Sequence, residues 1–161
     1  MKEAEELLNF GLEAGYAGVN DRDAKPRGEL QVEQSELQEG DGYYIDQWIA
    51  DRVGGGQEIA RQYDEGTVTR LYAGGTISLE KLEELGLTKK DVTSQLKKFI
   101  QWSERKTRLR EDYESEPDGD WGYSYKVILT LDQIPLRIGV ETIVYQDQLV
   151  FAHGILLTTV E

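Results

Sequence analysis

The chain has no cysteine and one histidine, His153, among 161 residues. The first absence excludes a disulfide framework, thiolate metal sites and cysteine nucleophiles. The second argues against a histidine-rich metal centre and against a histidine-dependent triad. No apolar run approaches the ~18 residues that a membrane-spanning helix needs. The N-terminus, Met1-Lys2-Glu3-Ala4-Glu5-Glu6, is acidic and lacks the apolar core of a secretory signal. A cytoplasmic location and no membrane partner are expected from these absences. Gly54-Gly55-Gly56 lacks the Lys-Ser/Thr of a phosphate-binding loop and the helix-opening context of a dinucleotide fingerprint. It is expected to form a bulge or turn. No cofactor and no metal site are expected.

Positive charge is scarce as well. Eighteen Lys and Arg face thirty-one Asp and Glu, a net charge of −13. Such a chain repels phosphate backbones at long range, so no nucleic-acid partner is expected. The sign is uneven along the sequence. Residues 89–110 carry eight basic and two acidic side chains, and residues 111–120 carry six acidic and none basic. Helical spacing puts Lys90, Lys97, Lys98, Arg105 and Arg108 opposite Val92, Leu96, Phe99 and Ile100. A solvated helix face neutralised by the acidic loop that follows accounts for this.

What is present suffices for one domain, residues 1–161: 39% of residues are hydrophobic and 9% aromatic. Residues 4–14 read as a short amphipathic helix, with Leu7, Leu8 and Leu12 recurring at helical spacing. Residues 19–40 are polar and read as a long loop, a candidate lid. Residues 43–53 read as a strand, with Tyr44, Asp46 and Trp48 on one face and Tyr43, Ile45 and Ile49 on the other. A hairpin over 57–63 and 67–73 follows. Ser78 is placed to cap a short helix that stops at Gly86. Thr88 and Asp91 resemble a capping box opening the basic helix, which is expected to run to about Arg110. Residues 121–131 alternate as a strand, and residues 136–145 and 149–160 form a second hairpin.

The two halves, 1–77 and 78–161, repeat the order helix, acidic loop, strand, hairpin. Gly56-x-Glu58 and Gly139-x-Glu141 lie 83 positions apart, and the same offset lays Asp64 on Asp147. An offset of 78 lays Tyr43, Ile45 and Ile49 on Trp121, Tyr123 and Val127. The fold class is therefore expected to be α+β. Two tandem α-β-β-β repeats would build an antiparallel sheet, with the helices packed on one face. A groove between the repeats is a natural ligand site.

The order of the short motifs also resembles a family. It runs Tyr16-Ala17-Gly18, Tyr44-x-Asp46, Gly56-Gln57-Glu58 and Tyr72-Ala73-Gly74, then Gly119-x-Trp121-x-Tyr123, Gly139-x-Glu141 and His153-Gly154. This is similar to a prokaryotic domain-of-unknown-function family whose members stand alone or follow a helix-turn-helix module. The resemblance implies no activity and carries over no catalytic residue.

Glu58 and Glu141 are the leading candidate site residues, because symmetry would bring both carboxylates toward the pseudo-axis. Paired carboxylates bind a cation, helped by aromatic rings, or exchange protons when their environments differ. Tyr43, Trp48, Tyr63, Trp121 and Tyr123 can supply the rings. The competing account pairs each glutamate with an arginine such as Arg61, Arg70 or Arg137. The lone His153 is expected to be structural. The expected function is non-catalytic binding of a small molecule, a cation among the candidates, between the repeats. A protein-interaction or homo-oligomeric assembly module is the first alternative. An acid/base enzyme using Glu58 or Glu141 is the second.

Overall fold

A computed structural model describes residues 2–18 and 23–160. Helix α1 (Lys2–Ala14) is followed by five strands: β1 (Asp23–Arg27), β2 (Leu30–Glu39), β3 (Gly42–Ile49), β4 (Val53–Gln62) and β5 (Gly66–Thr76). Helices α2 (Leu79–Glu84) and α3 (Lys89–Trp102) come next. The chain ends with β6 (Tyr113–Glu114), β7 (Trp121–Leu131), β8 (Leu136–Tyr145) and β9 (Gln148–Val160). All nine strands join one antiparallel sheet in the order β1-β2-β3-β4-β5-β9-β8-β7-β6. The α+β class and the antiparallel sheet expected from the sequence are both present. Sequential strands pair by short hairpins, and the two hairpin series meet at β5 and β9.

Alternation along these strands gives the sheet one deeply buried face. Tyr44, Asp46 and Trp48 of β3 lie on it, as do Glu58 and Ala60 of β4 and Val68 and Arg70 of β5. Ile155 and Leu157 of β9, Glu141 and Ile143 of β8, and Tyr123 and Tyr125 of β7 continue it. Two apolar clusters form there. Ala4, Leu7 and Leu8 of α1 pack with Tyr44, Ala60, Val68 and Leu157. Val92, Leu96, Phe99 and Ile100 of α3 pack with Leu12, Tyr123, Ile143 and Phe151. Gly11 lets α1 approach closely: a Cβ there would fall 2.2 Å from the Tyr44 ring. The other face carries the row Leu71, Leu156, Ile138 and Leu129 across four strands.

Four local expectations are corrected. Residues 23–39 form the β1–β2 hairpin rather than a loop. Their polar side chains bond along the sheet margin: Gln34 donates to Glu36, and Gln47 Nε2 of β3 donates to Gln34 Oε1 at 2.5 Å. The first residues of the expected lid, 19–22, lie outside the described residues. The glycine run is neither a bulge nor a turn: β3 stops at Ile49, and Gly54, Gly55 and Gly56 lie inside β4 in continuous register. Gly56 is required there because its missing Cβ leaves room for the Tyr72 ring, which would stand 2.5 Å away. The basic helix ends at Trp102 rather than Arg110. Glu104, Arg105 and Arg108 take left-handed backbone conformations (φ 49°, 67° and 60°), which a helix cannot continue through. Arg105 and Arg108 therefore leave the expected basic stripe. Finally, Asp46 lies opposite Glu58 and Tyr125 lies opposite Glu141. If the glutamates correspond, β3 and β7 match at an offset of 79, not 78, since a one-residue slip would turn every side chain to the other face.

Candidate functional site

The buried face holds charge at its centre. Glu58 is fully buried between β3 and β5, opposite Asp46 and Arg70. Arg70 donates from Nε to Glu58 Oε2 at 2.6 Å and from Nη2 to Oε1 at 2.7 Å. The Tyr44 hydroxyl donates to Oε1 at 3.0 Å. Glu141 of β8 is held in the same manner. Arg108 donates from Nε to Oε1 at 2.7 Å and from Nη2 to Oε2 at 2.6 Å, and the Tyr123 hydroxyl donates to Oε1 at 2.6 Å. Two-point guanidinium–carboxylate pairs of this kind satisfy both partners geometrically as well as electrostatically.

Asn9 of α1 ties the two arrangements together. Its side-chain oxygen accepts from Arg70 Nη1 at 2.6 Å, and its Nδ2 donates to the carbonyls of Arg105 and Thr107 at 2.7 Å each. Arg70 Nη1 also donates to the Arg108 carbonyl at 3.2 Å. The left-handed turns after α3 are thus pinned to α1 and β5, and they send the Arg108 side chain inward.

Burial opposes ionisation of Glu141, yet the Arg108 guanidinium and His153 outweigh it, and the carboxyl is held well below the usual carboxylate range. Asp46 goes the other way. Burial, reinforced by Glu58 beside it, pushes its carboxyl well above the usual range. The Tyr72 hydroxyl donates to Asp46 Oδ1 at 2.9 Å, while Oδ2 is buried without a partner. Burial also raises the phenols of Tyr44, Tyr72 and Tyr123 well above their ordinary value.

Beside this charged layer lies a cavity of about 240 Å³. The end of α1, the β3–β4 corner, β5, α3 and β9 surround it. Tyr16, Trp48 and Phe151 give it aromatic walls, and Tyr72, Arg108 and His153 lie at its inner end. His153 is opposite Glu141 in the β8–β9 register, with Nδ1 3.5 Å from Glu141 Oε2. Its ring sits 5.5 Å from that of Tyr72 and 4.4 Å from that of Phe151. Arg108 Nη1 and His153 Nε2 make no hydrogen bond among the described residues, and neither is sealed from the cavity. Four cationic side chains, Arg52, Lys89, Lys97 and Arg108, line the cavity against one carboxylate, Asp51.

The residues singled out from the sequence are not gathered in one place. Glu58 and Glu141 are on the buried face, but each belongs to an arginine pair, and neither lines the cavity. Trp48 lines it. Tyr123 is in the core against Phe99, with ring centroids 5.3 Å apart. Trp121 packs on Tyr145 at 4.7 Å. Tyr43 lies on the opposite face of the sheet, and Tyr63 is exposed in the β4–β5 turn. Sequence reading missed Asn9, Arg108 and the partnership of His153 with Glu141. Only the last left a signal, because pairing the final hairpin across its turn sets His153 opposite Glu141.

Among the described residues, no group of three or more His, Cys, Asp or Glu side chains is placed to hold a metal ion. No described helix is long and apolar enough to cross a membrane. Compared with protein-family models, curated proteins and solved structures, the chain matches none. The reading of the site therefore rests on its geometry.

Proposed function

We propose that the chain is a non-catalytic small-molecule-binding module built from two related halves, residues 1–77 and 78–161, with its ligand in the cavity between elements of both. The cavity carries this reading. Its aromatic walls accept an apolar body, and two unbonded nitrogens at its inner end fix an orientation, which is the usual composition of a ligand site. Its volume of about 240 Å³ suits a small metabolite. The duplication is supported by the mirrored strand order about β5 and β9 and by the matching pairs Tyr44–Glu58 and Tyr123–Glu141, each completed by an arginine from a different element, Arg70 of β5 and Arg108 of the turns after α3. The helices α1 and α3 then serve as equivalent covers on one face of the sheet.

A cationic ligand held by the two glutamates fits poorly, since arginines already neutralise both. The same pairing disfavours either glutamate as a proton carrier.

A thermal-shift screen against a metabolite library tests the module. A ligand at a hundred times its dissociation constant adds ~2.7 kcal/mol, a rise of several degrees for a domain of this size. Thr93→Trp places a large ring at the cavity wall from a half-buried position on α3. Hits on the parent chain that vanish in this variant support the module. No hit on the parent chain, or hits that survive the variant, overturns it.

The outer face of the sheet favours a second reading, a self-assembly module. Leu71 and Leu129 are about 42% and 41% exposed there, with Leu156 and Ile138 between them. Light scattering that returns a monomer mass would remove that reading.

A further inference from the structure

The inner end of the cavity has a polarity of its own, in a chain of the opposite sign. We propose, resting on the binding-module reading, that Arg108 and His153 form an anion-recognition site. It takes a small carboxylate or phosphate monoester whose aromatic or apolar body lies between Trp48 and Phe151.

Three observations carry this inference. The carboxylates behind the inner end are already paired: Glu141 accepts two bonds from Arg108 and one from Tyr123, and Glu58 is matched by Arg70. Asp46 accepts from the Tyr72 hydroxyl and does not line the cavity. Two nitrogens at the inner end, Arg108 Nη1 and His153 Nε2, make no hydrogen bond among the described residues. Glu141 occupies Nε and Nη2 of Arg108, which leaves Nη1 without a hydrogen bond among the described residues on a side chain that lines the cavity. Glu141 also stands 3.5 Å from Nδ1 of His153, so a proton on that nitrogen faces a carboxylate whichever form the ring takes. When the ring is protonated, Nε2 adds a second donor next to Arg108. With the ring protonated, two neighbouring donors, one on the buried Arg108 and one on the half-buried His153, are what a carboxylate or phosphate needs.

The wider field agrees. The chain carries −13 overall, yet Arg52, Lys89 and Lys97 stand on this cavity against Asp51, besides Arg108, whose charge Glu141 balances. Arg52 is committed in part, since its Nη1 donates to the Thr76 carbonyl at 2.8 Å. Lys89 forms no ion pair among the described residues. A cation entering here would meet three like charges. The aromatic walls select against a bare inorganic anion, which would leave them in contact with water.

The test titrates the ¹⁵N-labelled chain at pH 6 with four probes: benzoate, inorganic phosphate, benzyl alcohol and phenyltrimethylammonium. The amide signals of Gly55, Gly74 and Gly75 and the Nε–H of Arg108 report on the cavity. Benzoate is expected to bind at least about tenfold more tightly than benzyl alcohol, the equivalent of one charged hydrogen bond. Phosphate is expected to move the Arg108 signal more weakly than benzoate. His153→Phe is expected to weaken benzoate about tenfold and to leave benzyl alcohol unchanged. Should that variant fail to fold, Lys89→Glu, at a half-buried position on the wall, is expected to weaken benzoate several-fold and benzyl alcohol hardly at all.

Equal or tighter binding of the alcohol or the cation overturns the anion assignment and leaves the module intact. Silence from all four probes also overturns the assignment. The library screen with Thr93→Trp then decides separately whether the cavity binds anything.

Discussion

Glu58 shows how much a buried charge depends on its partners. It is fully buried, with an arginine and a tyrosine supplying three hydrogen bonds. Glu58→Gln removes the charge but not the burial, and it leaves the Arg70 guanidinium uncompensated at 0% exposure. Breaking one side of a buried pair typically costs about 3–5 kcal/mol. Replacing both partners with apolar residues of similar volume often costs far less. Glu58→Gln is therefore expected to lower the urea midpoint sharply. Glu58→Leu combined with Arg70→Met is expected to recover at least half of that loss, less what Asn9 and the Arg108 carbonyl lose as acceptors. A double variant as unstable as the single one would mean that the pair organises the core beyond its own charges. Sequence reading had Arg70 among the candidate partners for Glu58. It had no means of finding Arg108 for Glu141, because that contact depends on left-handed turns at residues 104, 105 and 108.

At the scale of elements, what repeats every two or 3.6 residues was legible, and what depends on tertiary pairing was not. The faces of β3 were readable because Tyr44, Asp46 and Trp48 alternate cleanly with Tyr43, Ile45 and Gln47. The β1–β2 hairpin was hidden because its side chains are almost all polar, and its place at the sheet margin follows from pairing with β3, not from apolar burial. The glycines of β4 read as a bulge or turn by composition alone, because the need for Gly56 comes from Tyr72 on the neighbouring strand. The N-terminus of α3 was legible from two residues. Thr88 Oγ1 accepts from the Asp91 amide at 3.2 Å, and the Asp91 carboxylate accepts from the Thr88 amide at 2.7 Å. Both bonds are needed, since each satisfies one N–H that the helix cannot. Thr88→Ala is expected to cost about 1 kcal/mol in urea unfolding. Thr88→Ser is expected to cost a small fraction of that. Because α3 supplies Val92, Leu96 and Phe99 to the core, the loss will appear in global unfolding and not merely as fraying of the first turn. Equal stability of the alanine variant would show that packing alone holds the helix start.

For the whole molecule, two buried carboxyls set opposite slopes on stability against pH. Glu141 has its carboxyl held below the ordinary range, so the folded state binds fewer protons than the unfolded one as the pH falls through ~4. Its contribution is complete above that pH and is lost on acidification. Asp46 has its carboxyl held above the ordinary range, so the folded state keeps a proton that the unfolded state releases above ~4. Its effect is to make the protein less stable as pH rises, by up to ~1.4 kcal/mol for each pH unit until the folded carboxyl itself ionises. The exposed acidic excess acts in the same direction as Asp46, because repulsion within a chain of net −13 grows as carboxylates ionise. Maximum stability is therefore expected on the acidic side of neutrality, near pH 5–6, with a decline towards pH 8. Urea midpoints taken from pH 4 to pH 9 measure the profile, and Asp46→Asn separates its two causes. The asparagine still offers an oxygen to the Tyr72 hydroxyl but has no proton to retain, so its decline above pH 5 is expected to be visibly shallower than that of the parent chain. A variant whose decline parallels the parent's would assign the slope to surface repulsion alone, and Asp46 would then have to be ionised inside the fold.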